Sequence, residues 1–195
     1  MARIGPPLGA HTSIAGGVEK SLERGQQIAC DAIQIFTKNP NQWKGRPFTE
    51  AEVAAFNVRR AETGIWPVVA HAIYLINLAT ADEALLAKSM ETFVGELERC
   101  EQLGLPGLIL HPGSPARGER DAGIAQLARS LDEALRRLSG YKVQVWLEIM
   151  AGQGGHLGRN FGELRAVMDA MDEGERVGFC FDTAHALAAG YELRT

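Results

Sequence analysis

Cysteine is scarce: Cys30, Cys100 and Cys180 are the only three in 195 residues. Each sits in an apolar or helical context, and three thiols build no paired framework. A disulfide scaffold and a structural thiolate site are therefore excluded, and a reducing, cytoplasmic setting is expected. Long apolar runs are missing too. No stretch reaches the roughly 18 apolar residues of a membrane span, and the opening MARIGPPLGAH has no charged segment followed by a long apolar one, so neither a membrane partner nor export is expected. Positive charge is not in surplus. Twenty Lys and Arg face 24 Asp and Glu, for a net charge of −4 and an isoelectric point near 5.8, so no global basic field advertises nucleic acid. Linkers, repeats and low-complexity segments are absent, and nothing marks an obligate protein partner. With 46% apolar and 23% charged residues, the sequence has the material for one core, and 1–195 is expected to form a single domain.

Short apolar runs alternate with longer segments of helical period, the pattern of consecutive βα units and a parallel sheet. The runs are Ile4 to Ala10, weakened by Pro6 and Pro7, then Ala32 to Phe36, Val68 to His71, Leu108 to His111, Val143 to Glu148 and Val177 to Asp182. Between them, Leu86, Met90, Phe93, Leu97 and Cys100 recur at steps of four and three and stop at Gly104. Ile124 through Leu138, stopped by Gly140, repeats that stripe, and Phe161, Leu164, Val167, Met168 and Met171 give another, capped by Asn160 and Glu163. Thr49 and Glu52 suit a capping box for a helix through about Glu62, and Ser13 to Gln27 is expected to supply the first helix despite Gly16 and Gly17. Six such units fit an open doubly wound sheet or an incomplete barrel, since a full barrel needs eight strands and roughly 250 residues. A dinucleotide fold is disfavoured. No GxGxxG follows the first run, and Gly152, Gly154 and Gly155 come after the fifth without a flanking acidic residue.

Four of the apolar runs end in a metal-capable residue: VVAH at His71, LILH at His111, VWLE at Glu148 and FCFD at Asp182. In parallel α/β folds the C-terminal strand ends converge on one face, so these side chains can meet around one cleft although they are far apart in sequence. Imidazole and carboxylate form a ligand set for zinc or a similar divalent ion. A strand-end histidine or acid taken singly is more often an ordinary buried polar group; the coincidence at corresponding positions is what carries the reading. His185, just past the sixth run, joins the set. His156 follows a glycine run in a loop and is assigned to solvent.

The stretch His71-Ala72-Ile73-Tyr74-Leu75-Ile76-Asn77-Leu78-Ala79 resembles the first diagnostic motif of the family 2 apurinic/apyrimidinic endonucleases. Similar agreement appears in Gly9-Ala10-His11-Thr12-Ser13, Phe36-Thr37-Lys38-Asn39, Cys100-Glu101-Gln102-Leu103-Gly104-Leu105, His111-Pro112-Gly113-Ser114, Ala151-Gly152-Gln153-Gly154 and Ala188-Ala189-Gly190-Tyr191. The resemblance covers the whole sequence. It implies a TIM (β/α)8 barrel of which about six units are present, and it makes this sequence incomplete at its C-terminal end. A complete family member holds three zinc ions. The resemblance gives His71, His111 and Glu148 to the first, has Glu148 bridge to a second that Asp182 also binds, and leaves His185 to the third, the remaining ligands lying in the last two barrel units.

The implied partner is duplex DNA containing abasic sites. The implied chemistry is attack by zinc-activated hydroxide on the phosphate 5′ to the abasic sugar, giving a 3′-hydroxyl and a 5′-deoxyribose phosphate, with Glu148 central to catalysis. The sugar is flipped into a pocket while Tyr74 and Leu75 fill the gap. Lys38, Asn39, Asn41, Gln42, Trp43, Lys44 and Arg46 make a cationic and aromatic loop expected to grip phosphates. This sequence departs from the family pattern at Asn41, where an arginine commonly enters the base stack, at Ile149 and Met150 in place of polar residues, and at Phe181 and Ala184. These departures bear on DNA affinity and on the hydrogen bonds that orient the bridging carboxylate. Two rivals stand beside this reading. One is a metal-dependent sugar isomerase or epimerase on the same barrel type; the other is a DNA-binding remnant without catalysis.

Overall fold

A computed structural model describes residues 5–193. Six strands, β1 (Gly9–His11), β2 (Ala32–Ile35), β3 (Val68–His71), β4 (Gly107–Leu110), β5 (Gln144–Glu148) and β6 (Val177–Cys180), alternate with α1 (Lys20–Gln27), α2 (Glu50–Thr63), α3 (Glu83–Gln102), α4 (Arg120–Arg137), α5 (Phe161–Asp169) and α6 (Thr183–Ala188). Every neighbouring pair is parallel, and the spatial order is the sequence order, β1-β2-β3-β4-β5-β6. A doubly wound sheet reverses its order at a switch point; a sheet that never reverses is the wall of a (β/α) barrel.

The register sorts side chains into two layers. Ala70, Leu108, Val145 and Val177 stand side by side, as do His71, Ile109, Trp146 and Gly178 on the opposite face. The first row belongs to the main core, where it packs with Phe56 of α2, Phe93 and Leu97 of α3, and Leu127, Leu131 and Leu135 of α4. Each Val, Leu or Phe side chain among them contributes about 1.5–3 kcal/mol by leaving water. The second row faces the barrel interior, and Trp146 spreads across it because both flanking strands have glycine opposite the ring. A Cβ on Gly107 would lie 2.6 Å from the Trp146 ring, and one on Gly178 3.0 Å away. Gly107→Ala is therefore expected to lower stability by about 1–3 kcal/mol through overpacking. Urea denaturation checks this; an unchanged midpoint would mean that Trp146 is free to move aside.

Local chemistry explains most element ends. Thr49 and Glu52 form the capping box of α2, Asn160 accepts from the Glu163 N–H at the start of α5, and Gly104 follows α3 at φ 62°. The first unit departs from expectation. β1 starts only at Gly9, because Pro6 and Pro7 have no N–H to give a ladder, and Ile4 lies outside the described residues. Likewise α1 begins at Lys20 and not at Ser13: Gly16 and Gly17 take φ of 89° and 141°, which no right-handed helix accommodates. The Ser13 and Ala15 carbonyls instead accept from the Arg24 guanidinium, each at 2.7 Å. No helix among the described residues is long and apolar enough to cross a membrane.

Candidate metal centre

The carboxyl ends of β3, β4, β5 and β6 deliver the candidate ligands to one place. His71 and Glu148 are the last residues of their strands, whereas His111 follows β4 by one position and Asp182 follows β6 by two. The expectation that all four close a strand is corrected for these two. Pro112 offers no N–H to prolong β4 beyond His111, and Asp182 has left the ladder to cap α6, its Oδ1 accepting from the His185 N–H at 2.8 Å. Helix α6 is absent from the sequence expectations, and it is what carries His185 back over the strand ends.

His71 Nε2 and His111 Nε2 lie 3.0 and 3.1 Å from the same Glu148 oxygen, Oε2. On the other side His185 Nδ1 lies 3.3 Å from Glu148 Oε1 and 3.6 Å from Asp182 Oδ2. Ligand atoms of His71, His111 and Glu148 fall within 4.8 Å of one another, and so do those of Glu148, Asp182 and His185. Glu148 belongs to both groups, the placement a bridging carboxylate needs. The tautomers refine this picture. His71 Nδ1 is 2.6 Å from the Ala72 carbonyl and must donate to it, which leaves the Nε2 lone pair for a ligand. A neutral His71 then aims that lone pair at a carboxylate oxygen, an arrangement only a proton or a bound cation between them makes favourable. The donor set therefore fits a divalent ion. His185 Nδ1 similarly donates to the Ile149 carbonyl at 3.0 Å, so its free lone pair is on Nε2 and its proximity to Asp182 is not ligation through Nδ1. The Ile149 carbonyl thus orients the His185 ring, while its apolar side chain offers Glu148 no hydrogen bond.

Electrostatics agree with an ionised centre. Burial by itself would raise the Glu148 carboxyl; where a proton, not a cation, sits on the imidazole Nε2 atoms, hydrogen bonds from His111 and His71 and their attraction outweigh it and hold the group well below the usual carboxylate range. Burial, reinforced by the charges of Glu148 and Asp182, pushes the nearby Cys180 thiol up to about 11, so it offers no thiolate at neutral pH.

An aromatic rim adjoins the cluster. Tyr74 sits 5.5 Å from the His71 ring and 5.6 Å from the His111 ring, with Phe36 5.7 Å away, yet it remains 65% exposed. Leu75 is exposed beside it, while Ile73, Ile76 and Leu78 are buried. The turn thus divides its apolar residues cleanly between surface and core. The loop after β2 corrects the sequence reading. Lys38, expected to grip phosphate, is buried: its Nζ donates to the Gln42 carbonyl and pairs with Glu96 at 3.6 Å. Burial pushes its ammonium down while Glu96 pulls it back. Arg46 is exposed but makes a bidentate pair with Glu52 at 2.6 and 2.7 Å. Asn39, Asn41, Gln42 and Lys44 are exposed; the Asn39 carboxamide oxygen accepts from the Asn41 N–H, and Trp43 is half-buried under the Lys88 ammonium at 4.4 Å. His156 is exposed as expected and hydrogen-bonds Ser114 Oγ at 3.0 Å. Phe181 is exposed and stacks on Phe161. Sequence reasoning misses Glu96 and Arg99. Their signal is present: two charges three apart, side by side along one edge of a buried helical stripe.

Comparison with known proteins accords with this architecture. The model of the xylose isomerase-like TIM barrel family matches residues 22–194. A probable endonuclease 4 of Chloroflexus aurantiacus is 43% identical over 97% of this chain, which spans 66% of that relative's length. The crystal structure of endonuclease IV from Thermus thermophilus superposes with a TM-score of 0.82 at 34% identity, covering 95% of this chain and 66% of that one. A D-tagatose 3-epimerase-like protein also superposes, with a TM-score of 0.72 over 92% of this chain and 66% of its own; at 18% identity it shows the barrel alone. By sequence and by fold, the protein belongs to the endonuclease IV family of xylose isomerase-like TIM barrels.

Proposed function

We propose that this protein supplies the first metal centre and the DNA-facing loops of a zinc-dependent nuclease that incises duplex DNA 5′ to abasic sites. The observation that carries this reading is the adjacency of the His71, His111 and Glu148 cluster to an exposed aromatic wedge, Tyr74, on the same turn as His71. His71, His111 and Glu148 would hold one ion, Glu148 with Asp182 would contribute to a second, and His185 would contribute to a third. When bound, zinc supplies Lewis-acid polarisation of a phosphoryl oxygen and acidifies a water enough for attack at neutral pH. The protein's own residues do the rest. The Ala72 carbonyl fixes the His71 tautomer, Glu148 stays anionic, and Tyr74 with Leu75 enters the stack left open when the abasic sugar leaves it. Lys44, exposed, is the loop cation placed to meet phosphate.

A sugar epimerase would share the barrel and the imidazole and carboxylate set, but the identity of 43% and 34% to endonuclease IV relatives against 18% to an epimerase-like protein favours the nuclease. The test is fluorescence anisotropy with a duplex carrying one tetrahydrofuran abasic analogue and with the intact duplex, alongside ketose turnover with and without chelator. Tighter binding to the abasic duplex is expected. Chelator-sensitive ketose turnover without abasic preference would replace this reading with the epimerase, and equal binding to both duplexes by a zinc-free protein would leave only a DNA-binding remnant. In the same assay Lys44→Ala is expected to weaken binding and to lower the slope of log affinity against log salt by about 1. An unchanged slope would return Lys44 to plain solvated surface.

A further inference from the structure

Three charged side chains meet beneath the loop that follows β2. Lys38 comes from that loop, Glu96 and Arg99 from α3, and their side chains are 6%, 1% and 4% exposed. Charges seldom enter an interior without a full set of partners, and this trio is incompletely satisfied. Glu96 Oε1 lies 3.6 Å from Lys38 Nζ and 4.0 Å from an Arg99 nitrogen, while Oε1 and that nitrogen both lack a hydrogen bond. The other atoms reach two separate loops. Glu96 Oε2 accepts from the Ile73 N–H at 3.3 Å, Lys38 donates to the Gln42 carbonyl, and Arg99 Nε donates to Thr37 Oγ1 at 3.1 Å. One turn earlier on α3, Thr92 Oγ1 stands 3.5 Å from the Trp43 carbonyl. Gly45 is packed so tightly over the cluster that a Cβ there would lie 2.5 Å from the Lys38 stem.

We propose that Lys38 and Glu96 are positioning residues: through Glu96 they tie the loop of residues 38–46 to the turn of residues 73–75, so that both surfaces move as one body beside His71. The tether stands on these contacts alone; its consequence for DNA rests on the proposed nuclease function. Lys38 then acts on DNA only through the shape of the loop and never touches phosphate. The charge balance makes this testable without unfolding the protein. Two cations oppose one anion, so Lys38→Met keeps the aliphatic stem and leaves Glu96 and Arg99 as a balanced pair.

Hydrogen exchange on the whole protein reads the tether directly. In Lys38→Met the amides of residues 39–46 are expected to exchange about tenfold faster or more, with α4 and β5 unchanged and zinc content equal to the parent. In Glu96→Gln the acceleration extends to residues 73–75. No local change in Lys38→Met, or a uniform acceleration of every element, would overturn the tether; so would a Glu96→Gln effect confined to residues 39–46. Anisotropy across a salt series supplies the second readout. Lys38→Met is expected to weaken abasic-duplex binding about tenfold at an unchanged salt slope, the mark of lost shape without a lost phosphate contact, and a slope lowered by about 1 would overturn the proposal by making Lys38 a phosphate ligand. Absence of abasic preference in the parent would defeat the functional reading, while the exchange measurement would still decide the tether.

Discussion

Glu148→Ala is expected to lower zinc affinity by ~10²-fold or more, a larger loss than any other single substitution in the cluster. Outer partners of metal ligands already cost 10- to 100-fold when removed, and Glu148 is the one residue common to both candidate groups. Both imidazoles lean on its Oε2, so its removal also frees two rings that now hold each other in place. Glu148→Gln separates charge from shape. It preserves the volume and one acceptor but removes the anion, and it should retain zinc only weakly. Competition against a chromophoric chelator measures both variants; parent-like affinity in Glu148→Ala would place the ion elsewhere in the molecule.

The second large effect concerns incision. The 195-residue protein is expected to leave an abasic duplex at the metal-free background, and a chimera joining the last two βα units of Thermus thermophilus endonuclease IV should raise the rate by about 10³-fold or more. Among the described residues only Glu148 and His185 join Asp182 in a candidate group, and the His185 Nδ1 that faces Asp182 is committed to the Ile149 carbonyl. Lewis-acid stabilisation is worth several kcal/mol, and each 1.36 kcal/mol is tenfold in rate. Among the described residues no further strand lies beside β1 or β6, and Phe179 and Phe181 are exposed beside the latter, which gives those units a surface to pair with and makes self-association of the 195 residues alone an accompanying expectation. Strong, chelator-sensitive incision by the 195-residue protein, abolished by Glu148→Ala, would contradict this expectation and show that the present ligands suffice.

How much of this is legible in the sequence depends on whether the relevant physics is local. Val68 to His71 and the capping box at Thr49 and Glu52 can be read because alternation, strand-end position and cap spacing are properties of a few consecutive residues. The metal cluster is legible at one remove, since parallel strands must bring their carboxyl ends together. Asp182 reads as the end of a strand because FCFD is apolar up to it, whereas its side chain competes for the His185 N–H and starts a helix. The burial of Lys38 is hidden for a different reason. Its partner Glu96 is 58 positions away, and a lysine in a polar loop carries no local sign that an acid on another element will bury it. Trp146 likewise looks like an ordinary strand residue until the fold puts Gly178 in register with it and its ring over Gly107.

On the proposed function, the strand-end residues His71, His111 and Glu148 together hold a divalent ion. Elemental analysis of the purified, folded parent against the His71→Ala/His111→Ala double variant tests it most directly. Bound zinc is expected in the parent and its near-complete loss in the double variant, with the helical circular dichroism of the two unchanged; equal zinc in both folded proteins would place the ion elsewhere.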